Sequence, residues 1–117
     1  MKSKTISYYL PKFFDMELKK NANVSENTIT SYKYAFVSLL QFINNKYKKE
    51  ITTLELKDFN KETIQKYLEY LEKEKNNSIS TINQRLAAIK SFFNYLAFEE
   101  IEYISLCNEI HSIKCFW

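Results

Sequence analysis

The chain has 117 residues, a net charge of +3, one proline and no glycine. That length suits one domain able to bury roughly two thirds of its unfolded surface without disulfide or metal staples. Without glycine, neither a Walker loop nor a dinucleotide fingerprint can bring its backbone onto phosphates, which excludes nucleotide hydrolysis and Rossmann redox chemistry. The same absence disfavours tight Asn-Gly hairpins. Lys, Glu, Leu, Ile and aromatic residues at helical spacing point instead to an all-α fold.

Residues 5 to 20 read as a first helix with Ile6, Leu10, Phe13, Phe14 and Leu18 inward and Pro11 marking its first turn. "NANVSEN" breaks it. Ser25 then caps a second helix running to about Lys46, with Ile29, Tyr32, Phe36, Leu40 and Ile43 as its core stripe. The opposite side shows Asn27, Thr30, Ser31, Tyr34, Ser38 and Gln41. "KKEITTLELKDFN" is a partly extended connector, and Asn60 caps a third helix to about Lys75 with Ile64, Tyr67, Leu68 and Leu71 inward. "NNS" supplies a turn from residues that tolerate left-handed backbone. A fourth helix, "SISTINQRLAAIKSFFNYL", is capped by Ser78 or Ser80, and a short fifth spans about Glu102 to Ile113.

In the fourth helix Ile82, Leu86, Ile89, Phe93 and Leu96 form a core stripe at about 100° per residue. Asn83, Gln84, Ala87, Lys90, Ser91 and Asn94 face the other way. A helix that meets only water usually alternates Glu with Lys, yet this face carries no carboxylate. Charge along the chain follows the same division. There is no acid from Asn27 to Lys49 or from Lys75 to Phe98, whereas Glu50 to Glu74 carries seven acids against four lysines.

A groove-facing helix on duplex DNA wants a few cations, small residues, hydroxyl and amide donors, and no carboxylates. The second and fourth helices meet that description: Arg85 and Lys90 can neutralise phosphate from opposite margins of the groove, and Ala87 and Ala88 admit close approach. Both helix starts add N–H groups suited to phosphate. A Lys- and Asn-rich composition produces similar polar faces without any DNA partner, so periodicity alone leaves both readings open.

"VSENTITSYKYAFVSLLQFI" followed by "NNSISTINQRLAAIKSFFNYL" resembles the N-terminal SAM-like core-binding domain of tyrosine recombinases, the phage integrase family, especially those of mobile elements. The resemblance runs from about Ile6 to Ile113. It implies a SAM-like orthogonal bundle of four main helices plus a short C-terminal helix, forming half of a clamp on double-stranded DNA. Thr28, Thr30, Ser31, Ser80, Thr81, Gln84, Arg85 and Lys90 are the DNA contacts it implies, with Tyr32 as packing. Other recombinase protomers in a synaptic complex are the implied protein partners, and DNA integration and recombination the implied role.

In the family a following catalytic domain supplies a nucleophilic tyrosine, two arginines, a lysine and histidine-type groups. This chain holds one arginine and one histidine, so it is expected to be a single core-binding domain over 1–117 without catalytic activity. Lys114 stands where a linker proline is expected, which suits an excised domain or a natural truncation. Cys107, His111 and Cys115 at i, i+4 and i+8 share one helical face and match zinc-ligand spacing if a fourth ligand comes from elsewhere, but packing beside Ile104 and Ile110 is much the stronger reading of them. No metal, cofactor or small-molecule ligand is expected. No stretch is apolar enough to span a bilayer, and two cysteines near one end suit free thiols, so a cytoplasmic location is expected. The alternative is a helical protein–protein interaction module whose polar faces bind protein.

Overall fold

The computed structural model describes residues 5–18, 20 and 24–115. They form five α-helices: α1 Ile6–Lys12, α2 Glu26–Tyr47, α3 Lys61–Lys73, α4 Ile79–Glu99 and α5 Ile104–His111. Short 3-10 turns lie at Ile51–Thr53, Leu56–Asp58 and Ile101–Tyr103, and an isolated antiparallel bridge joins Thr5 to Glu55. The all-α class read from the sequence is the class observed. The chain divides into two compact units, 1–58 and 59–117.

In the first unit α1 runs directly into a π-helical segment, Phe13–Leu18. Pro11 lies inside α1 and not in its first turn as expected. It has no N–H to offer the carbonyl of Ser7 four residues back, and the wider winding begins two residues later. That winding lets two sequence neighbours both turn inward: Phe13 and Phe14 are buried, with ring centroids 5.1 Å apart edge to face. Phe14 also meets Phe36 of α2 edge to face at 6.1 Å.

Ser25 caps α2, its hydroxyl accepting the Thr28 N–H at 3.1 Å. The buried face is Ala35, Phe36, Leu39, Phe42 and Ile43. This is a rotation from the expected stripe, since Leu40, Ile29 and Tyr32 are only half-buried. The run from Val37 to Ile43 is apolar at five of seven positions, so two neighbouring registers satisfy the same period. α2 ends at Lys48 in the left-handed region, φ 56°, where glycine is the usual occupant. The Asn44 side-chain amide donates across this turn to the Lys49 carbonyl at 2.7 Å. The connector is partly extended, as expected, only at the Thr5–Glu55 bridge, where Ile6 N–H donates to the Leu54 carbonyl at 3.1 Å. Asp58 fixes its end, accepting from the Lys49 ammonium at 3.0 Å and the Glu55 N–H at 2.9 Å.

In the second unit Asn60 caps α3, accepting the Thr63 N–H at 2.9 Å, and Ile64, Tyr67, Leu68 and Leu71 are buried as their spacing requires. Asn76, φ 51°, turns the chain, and Asn77 N–H closes onto the Leu71 carbonyl at 3.0 Å. Ser78 then caps α4. The five stripe residues of α4 are buried, joined by Ala88, Phe92 and Tyr95. Ala88 thus belongs to the core, and of the two alanines expected to face a groove only Ala87 is exposed. α5 is shorter than the expected helix because a 3-10 turn occupies 101–103 and the winding stops at His111. Cys107 and Ile110 carry its buried side against α3 and α4.

Candidate nucleic-acid interface

α2 and α4 begin alike. In each, a serine precedes the first turn, and the residue three further on is a threonine whose N–H donates to the serine hydroxyl: Ser25 with Thr28, Ser78 with Thr81 at 3.2 Å. The hydroxyls of each pair are also within hydrogen-bond distance, 3.0 Å and 3.1 Å. Thr28 and Thr81 are therefore tied into the caps and half-buried, while Ser80 is exposed in the first turn of α4 and Thr30 and Ser31 in the second turn of α2. Such starts present backbone N–H groups and the positive end of the helix dipole.

Beyond its cap, α4 presents Ser80, Gln84, Ala87 and Asn94 as one exposed line at i, i+4, i+7 and i+14, with Ser91 half-buried along it. On α2 the exposed line is Thr30, Tyr34, Val37 and Gln41. Sequence reasoning missed Val37, 51% exposed, and placed Ser38 outward in its stead. The rotation of the α2 core explains both. Neither line contains a carboxylate.

The two cations of α4 are placed less simply than their wheel positions suggest. Arg85 is half-buried. Lys90, expected at the solvent-facing margin, is half-buried too, and its ammonium donates to the backbone carbonyl of Ile113 just beyond α5. Helix spacing within α4 gives no hint of a partner that lies 23 residues on. The ammonium sits where the last carbonyls of α5 lack helical donors and where the helix dipole favours a cation.

The Cys107–His111–Cys115 face does not form, because α5 ends at His111 and Cys115 lies beyond it. Cys107 is buried, and that burial pushes its thiol up to about 11, the opposite of what a metal-binding thiolate needs. No group of three or more His, Cys, Asp or Glu side chains among the described residues is placed to hold a metal ion. An open groove of about 490 Å³ lies between α3 and the segment after α5, lined by Lys61, Gln65, Leu68, Glu69, Ser112, Ile113 and Lys114. No helix among the described residues is long and apolar enough to cross a membrane.

Residues 13–103, crossing both units, match the family described as phage integrase, N-terminal SAM-like domain. The chain belongs to that family. Two relatives from Sinorhizobium fredii accompany the match. The candidate integrase/recombinase y4rD is 36% identical over 88 residues, 75% of this chain and 31% of the relative. The candidate integrase/recombinase y4rC is 31% identical over 112 residues, 96% of this chain and 34% of the relative. This SAM-like domain thus spans about a third of the length of either relative. No solved structure matches it.

Proposed function

We propose that the chain is a single core-binding domain of a tyrosine recombinase, that it holds duplex DNA through surfaces on α2 and on α4, and that it performs no chemistry itself. The observation that carries this reading is the pair of carboxylate-free exposed lines, each following a Ser-x-x-Thr helix start, in a chain of the integrase N-terminal family. Thr30, Ser31, Ser80 and Gln84 are the outward donors. Thr28 and Thr81 act by fixing the helix starts, and Arg85 and Lys90 add positive charge nearby. A recombinase of which this is one domain would bring other protomers and the strand-exchange residues from outside this chain.

Mobility shifts over a salt series test the reading. Two to five phosphate contacts give micromolar or weaker affinity and a log–log salt slope of about −2 to −5. Affinity that does not change with salt would remove the electrostatic basis of the proposal.

One observation favours the protein-interaction alternative. At the corner between α4 and α5, Phe98 is 86% exposed, Ile101 81% and Ile104 41%, with Glu99 and Glu102 exposed beside them. Such a patch suits a protein contact better than a polyanion. Sedimentation across a concentration range, with Phe98→Ser as the comparison, reports whether this corner drives association.

A further inference from the structure

The exposed line of α2 has a composition that a phosphate-gripping surface does not require. Val37 stands between Tyr34 and Gln41 on the outward side of a 22-residue helix, 51% exposed, and Tyr34 is 65% exposed. An exposed valine by itself is ordinary. Here it stands in a line of Thr30, Tyr34 and Gln41, in a segment from Asn27 to Lys49 with four lysines and no acid. Lys33 is exposed on the same helix. Lys33 lies at one margin of the line, which thus carries one cation at its edge, no carboxylate, and one apolar group and one amide in its middle.

In the major groove, the thymine C5-methyl is the apolar group a side chain can meet, and an amide pairs in bidentate fashion with adenine N6 and N7. Val37 and Gln41 are one helical turn apart, about 6 Å along the axis, which spans about two base-pair steps. We infer that this line of α2 reads A·T base pairs, Val37 meeting a thymine methyl and Gln41 an adenine edge. The inference rests on the DNA-binding reading above and adds what the surface selects. Val37 is then a specificity-determining residue rather than a source of affinity for duplexes in general.

Replacing thymidine by deoxyuridine removes the methyl and leaves every hydrogen-bonding group of the pair intact. Binding of the 117-residue chain to an A·T-rich duplex and to its deoxyuridine counterpart is compared by fluorescence anisotropy at one salt concentration. The thymine duplex is expected to bind about fourfold tighter, the fold-change of one buried methyl group. Val37→Ala should bring that ratio close to one while leaving the salt slope unchanged, and Gln41→Ala should keep the methyl preference but lose preference for A·T over G·C duplexes. Circular dichroism melting of both variants checks that the fold persists, and the wild-type comparison needs no variant at all. Equal binding of the two duplexes by the wild-type chain overturns the inference and leaves the DNA-binding reading standing, as does an unchanged preference in a folded Val37→Ala. Binding to neither duplex overturns both.

Discussion

Lys90 shows how far one side chain's role depends on residues distant in sequence. Its wheel position marks the outer margin of α4, yet its ammonium closes the carbonyl end of α5 through Ile113. A charge-assisted hydrogen bond of this kind contributes about 1.5–3 kcal/mol, less where water reaches it. Lys90→Met is therefore expected to lower stability in urea by about 1 kcal/mol, with Lys90→Arg close to wild type. Lys90→Glu should cost more, because it places a carboxylate against a carbonyl. Cysteine reactivity gives a second test at this scale. Cys115 is exposed and Cys107 is buried with its thiol pushed up to about 11, so a disulfide reagent at pH 8 should titrate Cys115 at once and Cys107 only on unfolding. The raised thiol also sets a sign. Its contribution to stability is complete below the unfolded value of 9.0 and is lost as pH rises through about 11.

At the level of elements, starts were easier to read than the turns of the helices themselves. Ser25, Asn60 and Ser78 carry caps that depend only on a side-chain oxygen three residues before an N–H, a local rule visible in sequence. Ser25→Ala and Ser78→Ala should each cost about 1 kcal/mol in equilibrium unfolding. What stayed hidden was nonlocal or degenerate: the register of α2, the inward position of Ala88, the π winding after Pro11 and the partner of Lys90. In the first, an apolar run admitted two stripes. In the last, no periodicity within α4 encodes a carbonyl at Ile113. The end of α2 was also unforeseen, since a lysine holds a left-handed conformation in a chain without glycine. Lys48→Gly should raise stability by about 0.5–1 kcal/mol, the steric penalty at φ 56° exceeding the added freedom of the unfolded chain. Asn76→Gly should gain less, because asparagine already tolerates that region.

For the whole molecule, the proposed role, holding DNA without performing chemistry, has its own check. Incubation with nicked or intact duplex is expected to give no covalent protein–DNA adduct on denaturing gels. The bridge between Thr5 and Glu55 bears on how the molecule comes into being. It makes the edge of α1 depend on residues about fifty positions later, and closing a loop of that length costs about 3–4 kcal/mol of chain entropy. During synthesis α1 therefore cannot settle against its bridge until Leu54 and Glu55 have left the ribosome, so its anchoring waits on chain made some fifty residues after it.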